Sequence, residues 1–345
     1  MRALIDKLAE THALSFDEWV RVIGHPELFA ETQPRACALR DDIFGKNVFV
    51  RGLLEFTSHC QKDCLYCGLR KSNPDAVRYR LSEEEILSSA ESAWRTGFRT
   101  IVLQGGEDAY YTDARMVALV KSLKNAFPDL CVTLSIGEKP FSAYAAYRKA
   151  GAERYLLRHE SASCAHYARL HPSWQTLNSR IRCLYDLKSL NYQTGAGFMV
   201  GSPFQTDEDL ARDMLFLKKL SPEMIGIGPF IPHKDTPFRD KPPGDLKKTL
   251  YLLSLIRLML PDVLLPATTA LGALDDRGRE HGILAGGNVL MPNITPKRER
   301  KNYSLYNNKP LSGLEDGAHL ADLRKRFAAL GYALPVDKGD APGFH

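Results

Sequence analysis

Residues 60–67 read Cys60-Gln61-Lys62-Asp63-Cys64-Leu65-Tyr66-Cys67, directly after the apolar run 48–56. Three thiolates this close in sequence can each ligate one iron of a 4Fe-4S cube and leave the fourth iron without a protein ligand. Ordinary electron-transfer clusters take four cysteines, so this spacing leaves one iron open to a small molecule. Structural zinc draws four ligands, usually as two short-spaced pairs. No Cys-x2-Cys or His-x3-His follows here, and iron–sulfur is the stronger reading.

Outward from this loop, β-rich runs alternate with amphipathic helical stretches. Strands are expected at 48–56, 100–104, 131–136, 155–158, 195–200, 224–230, 263–268 and 288–291. Helices fit between them. Ser82-x-x-Glu85 reads as a capping box with Gly97 closing the helix, and Thr206-x-x-Asp209 opens another. Leu177, Ile181, Leu184 and Leu187 recur at helical spacing. Eight such units predict an α/β chain forming a complete (β/α)8 TIM barrel. An open doubly wound sheet also alternates, so the strand count decides. The cysteine loop then lies at the strand ends where barrel active sites form.

Three segments are expected: helices at 1–47 packed outside the barrel, the barrel at 48–296, and a C-terminal loop, helix and tail at 297–345. The stretch 294–313 is polar and irregular, and long loops in compact domains are often functional. A last helix around 318–330 precedes a tail rich in Gly, Pro and Asp, expected to fray.

Composition narrows the class. With 345 residues, 44% hydrophobic and 25% charged, the chain is ordinary globular material. A net charge of +5, with no basic block interleaved with aromatics, gives nucleic acid binding little support. The N-terminus lacks a signal-peptide core, and the most apolar helix candidate, 250–260, is too short to span a bilayer. A cytoplasmic protein is expected. Seven cysteines, three of them clustered, fit a reduced compartment better than a disulfide framework.

Other strand ends carry chemistry. Gln104-Gly105-Gly106-Glu107-Asp108 follows the second strand: paired glycines allow close backbone approach, and a neighbouring carboxylate can receive an amine. Arg158-His159-Glu160 ends the fourth strand, where buried charge needs a partner or a ligand; for His159 an internal ion pair is an equal alternative. Ser135 ends the third strand. Gly195-Ala196-Gly197 marks either close strand packing or ligand space. Thr268-Thr269 ends the seventh strand. Met291 ends the eighth, although a lone Met is more often a core filler.

With these residues in view, the chain resembles the radical S-adenosylmethionine (SAM) family. Within it the resemblance is to the group of biotin synthase, methylornithine synthase and the FeFe-hydrogenase maturase HydE, with HydE the nearest match. The stretches that carry it are Cys-Leu-Tyr-Cys-Gly-Leu-Arg (64–70), Ile-Val-Leu-Gln-Gly-Gly-Glu-Asp (101–108), Arg-Tyr-Leu-Leu-Arg-His-Glu (154–160), Gly-Ile-Gly-Pro-Phe-Ile-Pro-His (226–233), Pro-Ala-Thr-Thr-Ala (266–270) and Asn-Val-Leu-Met-Pro-Asn (288–293). The cysteine motif identifies only the superfamily; the last four together are more specific.

The resemblance implies that Cys60, Cys64 and Cys67 bind one 4Fe-4S cluster whose fourth iron is chelated by SAM. Tyr66 would lie near the adenine. Gly105, Gly106 and Glu107 would hold the methionine end, and Ser135, Glu160 and Arg180 would make further contacts. Arg158, Thr268, Thr269, Met291, Tyr303 and Tyr306 would form the substrate region. The implied reaction is reductive cleavage of SAM to a 5′-deoxyadenosyl radical. The implied substrate is a small organometallic iron–cysteinate complex carrying carbon monoxide and cyanide, in hydrogenase H-cluster assembly. A reductant such as ferredoxin or flavodoxin, and other hydrogenase maturases, are the implied partners.

Departures are visible too. No cysteine follows Cys183, so a second, C-terminal cluster of the kind some relatives carry is expected to be absent. Phe204 stands where a glycine is more usual. Only Cys131 sits on a plausible strand for the second cluster of biotin synthase. A methylornithine synthase-like mutase is the alternative enzyme, and a non-catalytic iron–sulfur carrier the alternative class.

Overall fold

Short apolar runs and capped helices alternate along the computed structural model, which describes residues 1–310 and 317–344. The strands are β1 (Phe49–Val50), β2 (Gly52–Thr57), β3 (Thr100–Gly105), β4 (Cys131–Ser135), β5 (Ala152–Leu156), β6 (Gln193–Ala196), β7 (Met199–Val200), β8 (Met224–Ile225), β9 (Gly228–Pro229), β10 (Pro266–Ala267) and β11 (Val289–Leu290). Six form one parallel sheet in the order β2-β3-β4-β5-β6-β8. A second parallel sheet runs β1-β11-β10, and β7 pairs with β9. Isolated bridges join Leu53 to Asn293 and Met224 to Leu264.

Expected strand positions recur, but several are shorter or divided. The run 48–56 breaks at Arg51: β1 pairs with β11, while β2 pairs with β3. The runs 195–200 and 224–230 each split in two, and 263–268 keeps only β10. Twist staggers neighbouring strands, so a ladder covers only part of each apolar run. Strand β5 ends at Leu156, which leaves Arg158 beyond the strand rather than on it.

Helix starts follow their caps. Ser15, Ser82 and Thr206 each form full capping boxes with Glu18, Glu85 and Asp209. Helix Leu246–Met259 is buried along nearly its whole length. It packs against the N-terminal helices Phe29–Phe44 and Arg2–Thr11 on one side and contacts β9 on another. Double coverage explains why its sequence is apolar all round. Among the described residues, no helix is long and apolar enough to cross a membrane.

The tail departs from expectation. Rather than fraying, residues 333–341 lie across the N-terminal ends of the strands. Lys338 O accepts from Thr100 Oγ1 at 2.8 Å and from Arg154 at 2.9 Å. Asp340 pairs with Arg154 at 2.6 Å and accepts from Gln193 at 2.5 Å. Arg51 donates to Gly339 O at 3.2 Å. Buried arginines at the strand starts need acceptors, and the tail supplies them. The last helix runs Gly317–Ala328; positions 311–313 of the expected irregular loop lie outside the described residues.

Candidate functional site

Cysteines and charged side chains gather past the C-terminal ends of the parallel strands. Residues 58–69 leave β2 as an irregular loop that brings Cys60, Cys64 and Cys67 together as free thiols. Glu107 N lies 3.4 Å from Cys60 Sγ, and Gln175 Nε2 lies 3.5 Å from Cys64 Sγ. Burial pushes the Cys60 thiol up to about 11, and it raises Cys64 and Cys67 as well. Buried thiolates therefore require a cationic ligand to stay ionised. Among the described residues, no three His, Cys, Asp or Glu side chains converge as the ligands of a single metal ion.

The paired glycines serve chain contact. A Cβ on Gly105 would stand 2.7 Å from Thr57 Cγ2, and one on Gly106 would stand 2.6 Å from Cys60 Cβ and inside contact with His59 O. The missing side chains let the cysteine loop lie directly on the end of β3. Gly197, at φ +150, likewise admits the Gly226 backbone, and a Cβ on Gly195 would meet Leu156 at 2.8 Å. Of the two readings for 195–197, strand packing holds.

Charges gather behind the loop. Glu107 Oε1 accepts from Glu138 N at 3.0 Å, and Lys62 Nζ lies 3.7 Å from Glu107 and 3.6 Å from Glu138. Arg180, on helix Leu177–Ser189, places Nε 2.9 Å from Glu138 Oε1. Burial raises the Glu107 pKa, with Lys62 pulling the other way. Glu160 and Arg180 both act electrostatically on Cys64 and Tyr66, so these four residues share one neighbourhood. Tyr66 OH is 3.3 Å from His171 Nε2.

Arg158 and Glu160 approach to 3.0 Å, yet the pair is badly aligned. Arg158 Nε and Nη2 and Glu160 Oε2 are buried without hydrogen-bond partners among the described residues. Glu160 adopts φ +65, a conformation uncommon for a side chain with a Cβ. Its neighbour His159 is fully buried against Asp213 at 3.2 Å, the internal pair already expected as one of two alternatives.

Further into the strand ends, Thr268 Oγ1 donates to Ile227 O at 3.2 Å. Thr269 and Met291 are half-buried. Tyr303 is buried, and Tyr306 lies in the electrostatic reach of Glu55, Arg279 and Arg158. Ser135 stays at the end of β4. Cys60, Cys64, Cys67, Tyr66, Glu107, Glu160 and Arg180 thus lie within electrostatic reach of one another, whereas Met291 packs against Met224, Leu264 and Val289. Sequence reading missed Lys62, Glu138, Gln175, and the buried pair of Glu55 with Lys309. Gln175 lies 111 positions from Cys64 in an unremarkable loop, and no sequence signal marks it.

Comparison with known proteins agrees with this arrangement. The family model for the radical SAM superfamily matches residues 54–217. The [FeFe] hydrogenase maturase subunit HydE of Thermotoga maritima is 45% identical over 293 residues, covering 85% of this chain and 83% of that protein. A 3-methylornithine synthase of Methanosarcina acetivorans is 28% identical over 254 residues, covering 73% and 71%. Among solved structures, methylornithine synthase (PylB) superposes with a TM-score of 0.81 at 24% identity, covering 97% of this chain and 98% of that one. The last likeness concerns the fold alone. Taken with the cysteine loop and its surroundings, these relationships establish that the chain belongs to the radical SAM superfamily of enzymes, close to the hydrogenase maturase HydE.

Proposed function

We propose that this enzyme binds one 4Fe-4S cluster at Cys60, Cys64 and Cys67, with SAM on the remaining iron, and acts as a HydE-type maturase. One observation carries the reading: Arg158 and Glu160 pair at 3.0 Å without a hydrogen bond between them, and Glu160 stands in the Cys64 and Tyr66 neighbourhood. Buried polar atoms that make no hydrogen bond are costly unless a ligand supplies one.

In this reading, a cluster held by Cys60, Cys64 and Cys67 would supply the one-electron reduction of SAM, the chemistry that yields a 5′-deoxyadenosyl radical. The polypeptide positions and excludes. Glu107 receives the amino group of the methionine end, assisted by the backbone of Gly105 and Gly106. Ser135, Glu160 and Arg180 would make further contacts with SAM, to ribose and carboxylate, and Tyr66 would lie near the adenine. Arg158, Thr268, Thr269, Met291, Tyr303 and Tyr306 enclose the substrate. Its identity as an iron–cysteinate complex with carbon monoxide and cyanide is proposed by similarity to HydE, as is a place alongside other hydrogenase maturases. Ferredoxin or flavodoxin would supply the electron, in a cytoplasmic setting.

The bridges at Leu53–Asn293 and Met224–Leu264 support reading the sheets as a complete (β/α)8 barrel over 48–296. Residues 1–47 form its outer helical segment and 297–345 its C-terminal extension.

Anaerobically reconstituted protein with SAM, dithionite and the iron–cysteinate complex should form 5′-deoxyadenosine and change the iron spectrum. A cluster whose EPR signal ignores SAM would overturn the cofactor reading. Turnover of lysine instead of the complex would favour the methylornithine synthase alternative, which the 28% relative supports.

A further inference from the structure

One cavity opens from solvent directly onto a cluster cysteine. Of about 310 Å³, it is lined by His59, Cys60 and Gln61, by the cations Lys71, Arg78 and Arg80, and by Glu107, Asp108 and Ala109. Its charge balance is lopsided. Glu107 turns inward to Glu138 N and Lys62. Asp108 is consumed by Arg80, through bonds of 2.7 and 2.9 Å. Neither carboxylate therefore offsets the remaining cations.

Those cations have no carboxylate partner among the described residues. Lys71 is exposed. Arg78 donates to three carbonyls, Ser58 O at 2.6 Å, Leu69 O at 2.9 Å and Arg70 O at 2.8 Å, which satisfies its hydrogens without neutralising its charge. Arg115 holds its guanidinium 4.0 Å over the Tyr110 ring, and Arg80 faces the same ring at 4.9 Å. Apolar surface is interleaved with these charges: Val77 is 57% exposed and Tyr110 47%. Exposed acids nearby are Asp75, within the field of Lys234, and Asp113, which accepts from Tyr147 OH at 2.5 Å.

We propose that this rim, formed by Lys71, Val77, Arg78, Tyr110 and Arg115 around the Cys60 cavity, docks an acidic one-electron carrier protein. The inference rests on the functional reading above, because only a cluster behind Cys60 needs an electron delivered there. Uncompensated positive charge around a concave mouth attracts an acidic partner and speeds its encounter. Val77 and Tyr110 supply contact area that stays in place at high salt. In the transfer, one electron leaves the carrier, which is oxidised by one unit, and enters the cluster, which is reduced by one. No bond forms or breaks in that step.

The test uses an oxidised flavodoxin of net negative charge, titrated into the full chain with its cluster reconstituted and followed by calorimetry. Binding should weaken with salt, as exposed charge pairs do. The double variant Lys71→Glu with Arg115→Glu should lose about tenfold or more in affinity, whereas Lys219→Glu, at the far end of helix Asp207–Leu220, should not. Unchanged affinity in the double variant, equal loss in Lys219→Glu, or salt-independent binding would overturn the proposal. Dithionite-driven SAM cleavage is measured in parallel. Its loss in the unaltered chain counts against the catalytic reading, while docking is judged on flavodoxin binding.

Discussion

Lys309 and Glu55 form an ion pair inside the protein, with side-chain exposures of 7% and 0%. Asn293 Nδ2 donates to the other carboxylate oxygen at 2.8 Å, and Lys309 also reaches Tyr303 O at 2.8 Å. A residue from the loop 301–310 is thereby anchored to the second strand and holds Tyr303 in place. Burial raises Glu55 and lowers Lys309, each opposed by the other's charge.

Breaking that pair leaves an uncompensated buried charge. Lys309→Met should cost roughly 3–5 kcal/mol of stability. Adding Glu55→Gln should restore most of the loss, giving a large coupling energy in a double-mutant cycle. Urea denaturation of the four proteins checks this; additive effects would mean that the two side chains do not depend on each other.

At Gly106 the constraint is space. An added methyl would press on Cys60 Cβ and His59 O, and overpacking of this kind costs about 1–3 kcal/mol. Gly106→Ala should fold with a lowered melting temperature. Its reconstituted iron and sulfide content should fall further than its stability does, because the displaced element is the cysteine loop.

Asp213 acts on Glu160 through two intermediates. Its Oδ1 accepts from Ala162 N at 2.5 Å and faces His159 Nε2 at 3.2 Å, and Gly197 N reaches His159 Nδ1 at 3.3 Å. This holds 159–162 in the turn that gives Glu160 its positive φ. Asp213→Ala should raise the KM for SAM by about tenfold, with a smaller change in kcat, as expected of a misplaced contact. Asp213→Asn, which keeps an oxygen for Ala162 N, should recover much of it. Equal effects of the two variants would assign Asp213 a purely structural role.

The tail predicts a pH dependence. Burial works against the Asp340 charge, but Arg154, together with Gln193, outweighs it and holds the carboxyl below its ordinary value. A carboxylate depressed in the folded state adds stability above its unfolded pKa of about 3.9 and loses it as pH falls through the folded value. Asp340→Asn should therefore lower the melting temperature at pH 7. The difference from the parent should shrink below about pH 4. A constant difference at all pH values would show that charge is not what Asp340 contributes.

Much of the candidate site was legible because neighbouring strands of a parallel sheet deliver their C-terminal ends to the same edge. Cys60, Glu107, Glu160 and Thr268 each follow a hydrophobic run that could be marked by eye. Strand lengths were less legible, since twist and stagger set how much of each run is paired. Gln175, Glu138 and Lys62 escaped notice because nothing in their local pattern distinguishes them. The tail was misread because its Gly, Pro and Asp content says nothing about the buried Arg51 and Arg154 that it covers.

Local chemistry in the chain determined the clustered cysteines and the alternating elements: thiol spacing, caps and apolar periodicity are all short-range properties. Only the tertiary structure decided which carboxylate meets which cation, as with Glu55 and Lys309, 254 positions apart. Such pairings depend on the backbone path that brings distant segments together, and burial then makes them binding, because a charge without water must find its partner across the fold.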